Sequence, residues 1–281
     1  MSKSVRPFLP VVLSMALIFA LFPTLSHATH SWGGYHWART GNPFTLKLGD
    51  NVSRAWDSYL ATTASDWTAS GVLDATIVAG GAGKPRVCKA TSGRVEVCSE
   101  KYGNNGWLGV AQIWISGLHI TQGTVKLNDT YFNTTKYNKP AWRNLVSCQE
   151  VGHTLGLDHQ DETFNNLNFG TCMDYTNFPE GGVHDLIDYG PSNDHPGGTV
   201  LGDSDYDELA TIYWHLDGAT TVKQSVNNKP SQANDGPVRL GTAQWGRLIR
   251  STNHGRTELY ELNLGRGKKV LTHVIWAEPE E

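Results

Sequence analysis

Residues 148–160 read CQEVGHTLGLDHQ, and no other stretch of the chain narrows its possible folds so far. Gln149 and His153 are four apart and Glu150 and His153 three apart, the spacings at which side chains share one face of a helix, with about 6 Å of rise over four residues. Gly156 suits the left-handed backbone that ends such a helix. His159 then returns towards the same point. Imidazoles bind zinc, and a carboxyl group one helical turn from a ligand can serve as general base to a metal-activated water. In an H-E-x-x-H segment the first position is a histidine; here it is Gln149, whose side-chain carbonyl is the donor it can offer.

On these residues the segment resembles the metzincin clan of metalloendopeptidases, whose pattern is H-E-x-x-H-x-x-G-x-x-H, and the wording GHTLGLDH is closest to the matrixin branch. Every fixed position of the pattern is present except the one held by Gln149. Metzincins carry a methionine turn beneath the metal, and Thr171-Cys172-Met173-Asp174-Tyr175 lies where that turn would fall. The resemblance implies an α+β catalytic domain: a twisted, mostly parallel sheet with an antiparallel edge strand, an active-site helix, the Met-turn at Met173 and a C-terminal helix. It implies zinc held by Gln149, His153 and His159, with Glu150 as the general base of a peptidase acting on peptide or protein substrates. An alternative keeps the scaffold without the chemistry, as an inactive extracellular binding protein with Gln149 merely hydrogen-bonded in the old cleft. A third, a carbohydrate binder using the aromatic residues, rests on composition alone.

The N-terminus reads as an export signal. Lys3 and Arg6 precede an apolar run over 8–22 that Pro10 and Pro23 flank or break, and Ser26-His27-Ala28 has the small-x-small form of a cleavage site. Removing residues 1–28 takes away two cations and no acids, so the formal charge of −4 becomes −6. That sign argues against nucleic acid or an anionic membrane as partner. The mature chain is expected to be secreted and monomeric.

Four cysteines in an exported chain suggest two disulfides, and spacing alone leaves three pairings open. The resemblance favours one of them. Cys148 precedes Gln149 on the active helix and Cys172 precedes Met173, so a bridge between them would tie helix to floor, leaving Cys88 and Cys98 to close a hairpin around Ser92-Gly93.

Periodicity supplies the remaining elements. Strands are expected at 44–48, 73–78, 95–98, 109–115 and 120–127, and a helix carrying Trp56, Leu60, Ala64 and Trp67 follows the first of them. Pro140 opens the active helix. Either 109–115 or 120–127 is the candidate edge strand for an extended peptide, with an interior strand as the plain alternative. A loop at 177–203 reads as a substrate-selecting wall and holds His184 and His195, reserve ligands should Gln149 bind no metal. Ser204 caps a helix over 205–216. The domains expected are a signal peptide (1–28), the catalytic domain (29–217), a polar linker (218–234) and a small β-rich extension (235–281) with three strands, which could pack on the catalytic unit or stand apart. The segment 30–39 could reach the cleft or pack as an N-terminal strand. Calcium is the second cation considered, at Asp158, Asp161 and Glu162 or at the acidic residues of 203–207.

Overall fold

Apolar alternation in the first half of the chain builds parallel strands, and a short pair of helices covers one of their faces. The computed structural model describes residues 30–165, 171–180, 205–222, 244–252 and 255–278. The expected signal peptide, Ser204, most of the 177–203 loop with His184 and His195, and most of the linker lie outside the described residues. In chain order the elements are β1 (His36–Trp37), β2 (Phe44–Asn51), α1 (Asp57–Ala69), β3 (Leu73–Ala79), β4 (Val95–Glu100), β5 (Trp107–Ser116), β6 (His119–Asn128), α2 (Asp129–Phe132), α3 (Pro140–Thr154), α4 (Asp205–Ile212), β7 (Arg247–Thr252), β8 (Thr257–Gly265) and β9 (Lys268–Trp276). The fold is α+β around one mixed sheet.

The strand order is β3-β2-β4-β6-β5-β9-β8-β7, with β1 paired beside β6. Pairing is parallel among β3, β2, β4 and β6 and turns antiparallel from β5 outward. Leu60, Ala64 and Trp67 of α1 and Leu145, Val146 and Val151 of α3 pack with Leu46, Leu48, Val97, Ile113 and Val125 from the strands into the main core. Trp67 also donates its indole N–H to the Cys148 carbonyl at 3.2 Å, which locks α1 to α3.

Of the two arrangements left open for the three C-terminal strands, the structure has them packed with the rest of the chain, where they extend this sheet. β9 runs antiparallel along β5 from Trp107 to Ser116, so neither β5 nor β6 is an edge. Composition explains why: β9 alternates with Leu271, His273 and Ile275 on one side, and a strand with a buried face needs a sheet to bury it against. Leu271 and Ile275 join the main core, while Val274 joins Tyr102, Trp107, Val110, Trp245 and Tyr260 in a second cluster. The helix expected over 205–216 spans a shorter stretch, Asp205–Ile212.

Both disulfides are formed, Cys88–Cys98 with 5.9 Å between Cα atoms and Cys148–Cys172 with the same separation. No described helix is long and apolar enough to cross a membrane.

Candidate metal centre

Helix α3 is the base on which the site is built. Pro140 stands in its first turn, where its missing N–H costs nothing, and the chain leaves the helix through Gly156 at φ +100°. The Gly156 and Leu157 amides bond back to the His153 and Gly152 carbonyls at 3.2 and 3.4 Å, and the reversal brings His159 against His153. A side chain at Gly156 would meet the Tyr35 carbonyl oxygen at 2.0 Å, so glycine is required there for space as well as backbone angle.

Beneath the helix lies the expected methionine turn. A Cβ at Gly152 would fall 2.4 Å from the Met173 sulfur, so this glycine lets the turn close up against α3. The Cys148–Cys172 bridge ties the same two segments. Asp205, placed at the start of α4 and considered as part of a calcium cluster, is fully buried and accepts the Met173 amide at 3.2 Å. Its other oxygen faces His30 at 3.5 Å. Burial pushes the Asp205 carboxyl up, although His30 opposes that shift.

His153, His159 and a residue not foreseen, His273 of β9, meet in one place: each offers a nitrogen within 4.8 Å of the others. Ring centroids lie 4.9 Å apart for His153 and His159, 3.8 Å for His153 and His273, and 4.6 Å for His159 and His273. His153 donates Nδ1–H to the Leu157 carbonyl at 2.9 Å, which leaves Nε2 with its lone pair in the neutral ring. That Nε2, both nitrogens of His159 and both nitrogens of His273 are buried without a hydrogen-bond partner. Desolvation, then mutual repulsion with His159, holds His153 well below the usual imidazole range, and burial followed by repulsion from His153 does the same to His273. These are neutral rings with open lone pairs.

Glu150, on the same helix as His153, has both carboxyl oxygens buried and without a hydrogen-bond partner. Its room is made by Gly109 of β5, where a Cβ would lie 2.2 Å from Oε1. Burial alone drives its carboxyl well above the ordinary range. Gln149 is anchored by its amide nitrogen, which donates to the Cys172 carbonyl at 2.8 Å and the Asp174 carbonyl at 3.2 Å. Any coordination by Gln149 would therefore fall to its oxygen.

The site is closed from three sides. Trp32 stacks on His153 with centroids 5.1 Å apart and planes 15° apart, Tyr175 stacks on His159 at 5.2 Å, and β9 covers β5. The segment from His30 thus both reaches the cleft and packs, since β1 pairs with β6. Asp158 and Glu162, considered for calcium, fall with His159 in one group whose donor atoms lie within 4.8 Å of one another, and Arg250 of β7 contacts both carboxylates, Asp158 more closely. Burial would raise the Asp158 carboxyl, but the hydrogen bond from Arg250 brings it below the usual carboxylate range.

Unpartnered buried nitrogens are costly, on the order of 1–3 kcal/mol each, and a cation accepting one lone pair from each ring removes that cost at three of the five. The donor set is the three-imidazole type that zinc favours with an open position, so the residues fit the ion that the resemblance implies. His273 escapes sequence reading because a histidine within an apolar strand shows only which face it takes, not what lies opposite. Compared with protein-family models, with curated proteins and with solved structures, the chain matches none.

Proposed function

We propose that the chain is a secreted, zinc-dependent endopeptidase of the metzincin kind, held in a closed form in which its own C-terminal hairpin fills the cleft. The observation that carries this reading is the meeting of His153 and His159 with His273 at one buried place, and the burial, on the same helix as His153, of a Glu150 carboxyl with no hydrogen-bond partner. A purely structural core has no use for an unpartnered carboxyl, because each polar group buried there destabilises the fold.

His153, His159 and His273 hold the ion in the closed form. When bound, it supplies a Lewis acid that polarises a carbonyl and acidifies water. Glu150 is then the general base, accepting the proton of the attacking water at a carboxylate oxygen and delivering it to the departing amide nitrogen as the C–N bond breaks. Met173 and the Cys148–Cys172 bridge position the helix rather than touch substrate. An extended peptide would pair along the outer edge of β5, the place that β9 now takes with the same antiparallel bonds. Hydrolysis accordingly requires the hairpin to leave, and Gln149 is then the remaining neighbour able to replace His273.

The filled edge also favours the second reading, an inactive binding protein in which β9 is a permanent part of the sheet. One experiment separates the two. A protease site introduced within residues 223–243 of the full chain allows the hairpin to be cut loose after folding, and zinc content and cleavage of a denatured protein are measured before and after. The peptidase reading expects cleavage to appear on cutting and to vanish in Glu150→Ala with zinc retained. Zinc present but no cleavage in either form establishes the binding protein.

A further inference from the structure

A second group of histidines lies outside the site just described, around the chain that follows α4. Asp217 is oriented by Arg39: its Oδ2 accepts the Arg39 backbone amide at 3.1 Å and Nη1 at 3.0 Å. The Asp217 amide in turn donates to the Arg39 carbonyl at 2.9 Å. The carboxylate is therefore fixed from both sides, and Oδ1 is turned towards three imidazoles. His119 Nε2 lies 3.1 Å from it, His36 Nε2 3.4 Å and His215 Nε2 3.8 Å.

The rings come from separate parts of the chain. His36 and His119 are register partners at the start of the β1·β6 pair, which sets their rings 5.1 Å apart, and His215 meets His36 at 4.7 Å. His36 is nearly fully buried, and its Nδ1 bonds the Gly34 carbonyl at 2.8 Å. Asp217 Oδ1 thus gathers the Nε2 atoms of His36, His119 and His215 around one point. The contact of His36 Nδ1 with the Gly34 carbonyl is the kind of outer contact that commonly orients a ligating imidazole.

We propose that His36, His119 and Asp217, completed by His215, form a second site for a divalent transition metal of the zinc type, independent of the one on α3. The first three offer donor atoms that all lie within 4.8 Å of one another. With His215 Nε2 3.8 Å from the shared Asp217 oxygen, three nitrogens and one oxygen are at hand, the donor number of a structural rather than catalytic zinc site. Its effect is to staple β1 to the segment leaving α4, joining residues 181 apart in sequence. No water-activating group is needed there, and none of the four residues enters the proposed hydrolysis.

The test uses the full chain, stripped of metal and titrated with cobalt(II) and zinc(II), with metal counted per chain and the visible cobalt spectrum recorded. Two equivalents are expected for the native protein. His119→Ala and His215→Ala, both at partly exposed positions where folding is retained and checked by circular dichroism, should each bind one equivalent fewer or bind the second too weakly to survive dialysis. His153→Ala and His159→Ala should leave that second equivalent and its tetrahedral cobalt spectrum intact. Unchanged stoichiometry and affinity in both His119→Ala and His215→Ala overturn the proposal, as does a native protein whose only bound metal disappears in His153→Ala. A site of failed catalysis does not bear on this outcome, because the readout is binding and colour at a separate set of residues.

Discussion

The two histidine clusters differ in what balances them. Around Asp217 the protein supplies a carboxylate, Arg39 neutralises one of its oxygens, and His119 and His215 remain partly exposed to water. At the α3 site the three rings and Glu150 are buried; His153 Nε2, both nitrogens of His159 and of His273 and both Glu150 oxygens have no hydrogen-bond partner among the described residues. A polar group that keeps water or an ion pair loses little when an ion leaves, whereas a buried and unpartnered one bears the full desolvation cost. The comparison teaches that similar side chains can make one site on which the fold depends heavily and another on which it depends less, because water and an ion pair share the load there.

The largest effect expected from that difference is on metal removal. Chelation of the native protein should lower the unfolding temperature steeply, since an ion present at 1,000 times its dissociation constant stabilises the fold by about 4 kcal/mol. His273→Ala should abolish most of that response, while His119→Ala should leave most of it. Calorimetry of the three proteins with and without chelator measures this, and an equal response from both variants would break the comparison.

A smaller effect should appear with pH in the metal-free protein. His153 and His273 are held well below their ordinary value of 6.5 by burial, so the folded state keeps them neutral while the unfolded chain takes up protons near that value. Their contribution is fully present above pH 6.5 and is lost as the pH falls below it towards their folded values. Denaturant midpoints between pH 8 and 5 should fall accordingly, and His273→Ala should flatten the slope. A native slope equal to that of the variant would remove His273 from the account.

The smallest effect concerns the latch. Arg250 of β7 is partly exposed, but its partner Asp158, beside His159, is buried. Removing the cation leaves that carboxyl without its ion-pair partner, a cost on the order of 1–3 kcal/mol, so Arg250→Ala should lower the unfolding temperature less than metal removal does and increase proteolytic nicking between the hairpin and the rest. If nicking is unaltered, β-sheet bonds along β5 alone hold the hairpin.

Much of the α3 site is legible in the sequence because it is local. Glu150, His153, Gly156 and His159 follow one another through a helix and its cap, so helical geometry and one glycine suffice to bring them together. The Met173 turn and its disulfide follow from the resemblance, and the structure has both against α3. The expected strands of the first half also stand, each within a few residues. Residue type makes Gln149 a ligand only through its carbonyl; what the structure adds is that its nitrogen is already committed to the Cys172 and Asp174 carbonyls. His36, His119, His215 and Asp217 give no signal at all, because no periodicity links residues so distant.

By itself the sequence determined the local geometry: where helices begin and stop, which face each strand buries, and which groups on α3 point the same way. The tertiary structure alone decided which strand lies beside β5, and with it that His273 joins His153 and His159 and that the outer edge of β5 is paired. The reason is physical. Alternation specifies an inward face but no partner, and strand pairing over more than a hundred residues is settled only when competing apolar surfaces are buried together.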